Sequence, residues 1–182
     1  MVRVIAGTAK GVRLETPKGV HVRPTLDRVR EAAFSILLPR IAGARFADLF
    51  AGSGANGIEA LSRGAEACVF VDSDSRSLTN VEHNLERTHL AGKAACYQLA
   101  LPGGLGRLRL CEAPFQIIYA DPPFNFSGYG ILLERIAAEA LLAPEGVIVI
   151  EHAKDERTPE AAGGLIRNRQ STYGTVTLSF FA

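Results

Sequence analysis

The sequence predicts a doubly wound α/β sheet closed by an antiparallel strand pair, on three observations. Short apolar runs alternate with helix-compatible segments from residue 45 to residue 151. The first run breaks into a glycine-rich turn, Ala51-Gly52-Ser53-Gly54, that opens onto a helix, as strand–turn–helix units of parallel sheets do. Two further strand-like runs, 165–173 and 175–181, are separated by Gly174, which leaves no room for a crossover helix and forces them antiparallel.

A chain of 182 residues with 47% hydrophobic composition suffices for one well-buried domain. Its longest apolar runs, such as 146–150, are too short to span a bilayer, and the amino terminus lacks the apolar core of a leader peptide, so a cytoplasmic protein is expected. Cys68, Cys96 and Cys111 are odd in number and widely spaced, which suits reduced core residues better than bridges or zinc ligands. His83 and His89 do not share a helix face, and no metal site is expected. Charge is distributed unevenly: residues 1–45 hold nine Lys and Arg against three acids, whereas the remainder holds eleven against sixteen. A basic arm on a mildly acidic body points to a polyanionic partner.

The elements follow in order. Residues 3–22 read as a hairpin, with strands over 3–7 and 12–16, a turn containing Gly7 and Gly11, and closure by Pro17, Lys18 and Gly19. Such a ribbon is unstable alone and must lean on the main domain, so residues 1–22 are expected as an extension and 23–182 as the domain proper. A helix capped by Thr25 carries apolar positions at Leu26, Val29, Ala33, Phe34, Leu37 and Leu38. Arg23 and Thr25, before its first turn, either lie near the cofactor and substrate or serve as a plain cap. Strands are expected at 45–50, 67–72, 94–99, 115–121 and 146–151, with helices starting near Ile58 and spanning 75–90 and 131–142. A weak helix over 105–110 completes the set.

The turn at Gly52 and Gly54 carries the first chemical signal. Glycine permits positive φ and close ligand approach, and the N–H groups of the following helix face whatever binds there. Gly52, Gly54 and Gly57 also spell a dinucleotide fingerprint, with Asp72 about twenty residues on, placed to accept ribose hydroxyls. Asp48 weighs against a pyrophosphate: a carboxylate at the strand end repels it, but attracts the ammonium of an amino-acid group, directly or through water. S-adenosylmethionine carries such an ammonium; a nicotinamide cofactor remains the competing reading.

Asp121-Pro122-Pro123-Phe124 ends the fourth strand of the domain, beside that turn. Two prolines stiffen the backbone and remove donors, Asp121 adds a carboxylate and Phe124 an aromatic face. A pocket of acceptors next to a stacking surface suits an exocyclic amine on a nucleobase: Asp121 and the Pro122 carbonyl hold both N–H groups while the nitrogen pyramidalises toward a methyl group. The proton leaves to Asp121 or to water.

These motifs together with Arg23-Pro24-Thr25, Asp27-Arg28-Val29-Arg30-Glu31, Gly57-Ile58-Glu59-Ala60-Leu61-Ser62-Arg63-Gly64, Val69-Phe70-Val71-Asp72, Val149-Ile150-Glu151-His152 and Tyr173-Gly174 strongly resemble the RsmD-type 16S ribosomal RNA guanine-N2 methyltransferases. The resemblance spans nearly the whole chain. It implies a seven-stranded class I methyltransferase (Rossmann-like) sheet with its last strand antiparallel and an amino-terminal hairpin extension. It also implies S-adenosylmethionine as methyl donor and 16S rRNA on a small ribosomal subunit or assembly intermediate as acceptor. A monomer is expected. The expected donor-binding residues are Asp48, Phe50, Gly52, Ser53, Gly54, Asp72, Ser73, Gln98, Leu99, Ala100 and Asp121. Those for the substrate are Arg3, Lys10, Arg13, Lys18, Arg23, Arg28 and Asn125, with Asp121, Pro122, Pro123 and Phe124 at the reacting amine. Two positions depart from the family pattern: Phe124 stands where Tyr is usual, and no acid follows the third strand, so adenine recognition falls to Gln98 or to backbone near Leu99 and Ala100. His152 is expected in a structural hydrogen bond. The rivals are transfer to adenine N6 or to a protein glutamine, a nicotinamide oxidoreductase, and a non-catalytic RNA-binding assembly factor.

Overall fold

A computed structural model describes residues 2–16 and 24–182. The extension supplies β1 (Val2–Arg3) and β2 (Arg13–Leu14), and α1 (Pro24–Ile41) leads into the domain. There follow β3 (Arg45–Leu49), α2 (Ala55–Ser62), β4 (Ala67–Asp72), α3 (Ser75–Thr88), β5 (Ala94–Gln98), α4 (Gly106–Cys111), β6 (Phe115–Ala120), α5 (Tyr129–Ala138) and β7 (Leu142–Ala153). The short β8 (Ala161–Ala162), then β9 (Leu165–Tyr173) and β10 (Val176–Phe181), close the chain.

One sheet runs β5-β4-β3-β6-β7-β10-β9-β8. The five strands from β5 to β7 are parallel, while β10 is antiparallel to both β7 and β9. Connectivity reverses at β3, which has β4 on one side and β6 on the other. Open α/β sheets place their ligands in the crevice beyond such a reversal.

Strand alternation sorts the core into two layers. Phe46, Phe70, Tyr119 and Val149 pack against Phe34 of α1, Ile58 of α2 and Val81 of α3. Val69, Val71, Ile118 and Ile150 pack against Leu105 and Leu108 near α4 and Leu132, Leu133 and Ile136 of α5. Phe34 stacks on Phe46 and Tyr119 at centroid distances of 6.1 and 6.4 Å, fixing α1 across the two strands that flank the reversal. Phe34→Ala there costs about 3–5 kcal/mol of stability. By the same parity Asp48, Tyr119, Asp121 and Glu151 belong to the α1 side, where buried Arg30 waits.

The sequence reading needs several corrections of extent. The hairpin pairs over two residues per strand, because residues 5–9 spend their backbone groups on α2 instead. Helix α1 opens at Pro24, a residue suited to a first turn that needs no N–H, rather than after a Thr25 cap. Helix α5 ends at Ala138, and left-handed Ala140 (φ 48°) lets β7 begin at Leu142 rather than 146. The terminal hairpin is not simply an edge: β10 lies inside the sheet and β9 outside it, with two-residue β8 added as an eighth strand. Cys68 and Cys96 are free thiols. Lys18, Arg23 and the side chains of Thr25 and Cys111 lie outside what is described. Among the described residues no helix is long and apolar enough to cross a membrane.

Candidate active site

The ends of β3 and β6 open on one cleft of about 430 Å³, lined by Phe50, Asp72, Ser73, Leu99, Ala100, Leu101, Asp121, Pro123 and Phe126. The two corners touch: the Asp121 N–H donates to the Leu49 carbonyl at 3.2 Å.

On the β3 side, backbone geometry does most of the shaping. Phe50 is left-handed (φ 64°), and Gly52 and Gly54 follow at φ 55° and 75°. Gly57 serves packing instead: a Cβ there would lie 2.3 Å from the Phe70 ring, so only glycine lets α2 approach β4 this closely. Asp48 is fully buried, and its Oδ2 accepts the Gly57 N–H at 2.8 Å, capping α2 from beneath where Gly54 offers no side chain. Its Oδ1 is buried with no hydrogen-bond partner among the described residues. Burial pushes the Asp48 pKa up to about 8; the Gly57 N–H and Arg30 pull against this, and Asp72 and Glu151 add to it. Asp72 is held by backbone on both oxygens, accepting from Gly52 at 2.9 Å and from Asp74 at 2.9 Å.

On the β6 side the groups are freer. The Asp121 side chain faces solvent at the mouth of the cleft and has no hydrogen-bond partner among the described residues. The protein packed around it, then the charges of Glu151 and Asp48, raise its pKa well above the usual carboxylate range. Glu151 accepts a hydrogen bond from the Tyr119 hydroxyl at 2.6 Å; burial raises its pKa, and that bond and Arg30 oppose the rise. Phe124 is 88% exposed. Asn125 is left-handed (φ 64°), and its N–H donates to Glu156 Oε1 at 2.9 Å. The other Glu156 oxygen accepts the Tyr129 hydroxyl, and Tyr129 packs edge-on to Phe126 at 5.2 Å. Glu156 therefore holds the turn from below. Burial works against its charge, yet these hydrogen bonds keep its pKa below the usual range.

Of the residues expected at the donor, Phe50, Asp72, Ser73, Leu99, Ala100 and Asp121 share the cleft. Asp48 lies beneath the turn rather than on the cleft surface. Gln98 does not line the cleft, and its amide donates to the Ser73 carbonyl at 3.1 Å. His152 is buried between the Ala153 carbonyl (2.8 Å) and the Ser179 hydroxyl (2.9 Å), the structural pairing expected of it, and burial lowers its pKa. Away from the cleft, Arg3, Lys10 and Arg28 line a groove of about 390 Å³ between the extension and α1, with Asp27 and Glu31 on its wall. Arg13 sits on β2 outside it.

Sequence reasoning missed Phe126, Glu156 and Arg30. Phe126 had a signal, an aromatic two residues past Phe124 in a turn that needs an apolar footing. Glu156 and Arg30 act across 31 and 27 residues of chain, and local pattern does not show such partners.

Asp72 and Asp121 line the cleft, and Asp48 and Glu151 lie buried close by. A pyrophosphate is poorly served there, and a ligand carrying a sulfonium and an ammonium is well served. The leftover Asp48 oxygen, the Asp72 carboxylate at the end of β4 and the left-handed turn are groups that the ammonium and ribose hydroxyls of S-adenosylmethionine would fit.

Comparison with known proteins agrees. A family model described as Conserved hypothetical protein 95 matches residues 2–182. A Bacillus subtilis protein named putative rRNA methyltransferase YlbH is 38% identical, covering 98% of this chain and 97% of its own. The ribosomal RNA small subunit methyltransferase D of Escherichia coli is 31% identical over 99% of this chain and 89% of its own. Among solved structures, a putative methyltransferase from Escherichia coli superposes with a TM-score of 0.81 at 30% identity, covering 99% of this chain and 96% of that one. A putative methyltransferase solved with S-adenosylhomocysteine bound, 17% identical, shares the fold with a TM-score of 0.71 over 88% of this chain and 50% of that one. The chain belongs to the Conserved hypothetical protein 95 family, that of the small-subunit ribosomal RNA methyltransferases D, and has the class I methyltransferase fold.

Proposed function

We propose that this protein transfers a methyl group from S-adenosylmethionine to the exocyclic N2 amine of a guanine in 16S rRNA, on an assembled or assembling small ribosomal subunit. The observation that supports this reading is one cleft that brings Phe50 at the head of the glycine turn and Asp72 at the end of β4 together with Asp121 and Pro123 of the β6 corner.

When bound, the donor supplies an electrophilic methyl on a sulfonium. Asp72 accepts its ribose hydroxyls, and Leu99, Ala100 and Leu101 flank the adenine with backbone rather than with Gln98. Gly52, Ser53 and Gly54 shape the bed of its amino-acid end, over the buried Asp48 carboxyl, which would give up its proton only with a cation seated above it. Asp121 and the Pro122 carbonyl accept the two N–H groups of the guanine amine, strengthening as positive charge develops on nitrogen. Methyl transfer would form an N–C bond at the expense of the donor's C–S bond, and the proton would leave to Asp121 or to water. Phe124, already in solvent, stacks on the base. Residues 1–22 act as the RNA-gripping extension, with Arg3, Lys10 and Arg28 lining a phosphate groove and Arg13, Lys18, Arg23 and Asn125 as further RNA contacts. The protein works as a cytoplasmic monomer without metal.

The test is incubation with labelled S-adenosylmethionine and undermodified small subunits, followed by RNA digestion. N2-methylguanosine is expected; N6-methyladenosine, or no label in RNA, overturns the assignment.

A further inference from the structure

The extension that carries the groove residues is not merely laid on the domain. Glu59, fully buried on α2, accepts the N–H groups of Ile5 (2.7 Å) and Ala6 (3.0 Å), with Arg63 neutralising it at 2.7 Å. Ser62 accepts the Ala9 N–H at 2.9 Å and donates to the Ala6 carbonyl at 2.6 Å. Gly7 (φ 84°) crosses so close that a Cβ would lie 1.8 Å from the Ser62 carbonyl oxygen. These contacts bolt the extension to α2, the helix that starts at the donor turn.

One residue goes further and touches the turn itself. Asn84 is fully buried on α3. Its Oδ1 accepts the Glu15 N–H at 2.7 Å, while Nδ2 donates to the Glu15 carbonyl at 2.9 Å and to the Ser53 carbonyl at 2.9 Å. Both amide hydrogens are thereby spent on two segments far apart in sequence, one of them the glycine turn. A buried amide cannot let go of either without leaving a polar group unpaired in the interior. Displacement of residue 15 is therefore felt at the Ser53 carbonyl.

We propose that Asn84 is a positioning residue that couples the extension to the donor turn, so that RNA seating the extension also tightens S-adenosylmethionine binding. This rests on the donor and RNA assignments above. Linkage requires the converse, donor binding favouring RNA, by the same factor. The Arg87–Glu15 ion pair (2.8 Å) lies on the exposed surface and adds little to this tie.

Calorimetric titration of S-adenosylhomocysteine, with and without undermodified small subunits, tests the idea on the full chain. The variants are Asn84→Ser and Glu15→Pro; the second removes the Glu15 N–H together with the exposed Arg87–Glu15 pair, on a residue that does not line the cleft, and Glu15→Gln, which loses the pair alone, is the control. The parent is expected to bind the analogue about 5-fold tighter in the presence of subunits. Both variants are expected to bind it about 5-fold more weakly alone and to lose most of the subunit effect, with thermal unfolding still cooperative. Glu15→Pro is the decisive case if Asn84→Ser does not fold. Parent-like affinity and coupling in Glu15→Pro overturn the proposal and leave the donor assignment intact, whereas a parent that fails to bind the analogue overturns the donor assignment and the coupling with it.

Discussion

The two sides of the cleft are built on opposite plans. On the β3 and β4 side every carboxylate is seated: Asp48 on Gly57, Asp72 on Gly52 and Asp74, all through backbone N–H groups. On the β6 side the Asp121 carboxyl has no hydrogen-bond partner among the described residues and Phe124 stands in solvent, on a turn that Glu156 supports from beneath. A small donor of fixed shape can be met by a preformed bed, which lowers the ordering cost of binding. A base delivered by a large RNA particle must enter from outside, so its receptors are left open and only their footing is fixed. Donor affinity and acceptor turnover therefore depend on separate residues.

Mutations should separate them. The largest effect is expected from Asp121→Ala, which lowers methyl transfer by about 10²–10³-fold, the loss typical of one transition-state acceptor or donor, while S-adenosylhomocysteine affinity stays within about twofold. Parallel single-turnover and calorimetric measurements decide this, and equal losses in both would erase the division. Asp72→Ala is expected to do the reverse, weakening the analogue about 10-fold or more, since charged hydrogen bonds and the Gly52 tether go together. Phe124→Ala is expected to raise KM for subunits by about tenfold through lost stacking, with little change in donor affinity. The Arg3, Lys10 and Arg28 triple alanine variant should bind subunits with a shallower salt dependence than the parent; identical slopes in a titration series would show that the groove touches no phosphate.

The smallest effect concerns stability and bears on the seated side alone. Asp48 keeps a proton in the folded state up to about pH 8, whereas the unfolded chain releases it near 3.8. Between those values the folded protein binds the extra proton, so stability falls as pH rises. Asp48→Asn, which retains an acceptor for Gly57, is expected to flatten that fall by up to about 1.4 kcal/mol per pH unit in urea titrations. An unchanged slope would mean that Asp48 is ionised in the fold.

How much of this the sequence could disclose varies by residue. β4 was legible to its last residue because Ala67–Asp72 is a short buried run ending in a charge, and the crevice followed from strand order alone. The inner position of β10 was legible in principle: Val176–Phe181 is mostly apolar and buried, whereas Leu165–Tyr173 alternates with Arg, Asn and Gln as an outer strand does. What stayed hidden was the burial of Asp48. A carboxylate at a strand end reads as a ligand group until α2 is brought over it, and that approach is set by the fit of Gly57 against Phe70. Asn84, Glu59 and Glu156 were hidden for the same reason, since each one's meaning lies in a backbone group 31 or more residues away.

The exposure of Phe124 has a practical use. The chain contains no tryptophan, so its ultraviolet emission is set by four tyrosines. An indole installed at that one site would be the protein's sole long-wavelength fluorophore, bright in water and quenched when a nucleobase slides over it. The moment at which the particle surrenders its guanine could then be timed optically, apart from the chemistry that follows.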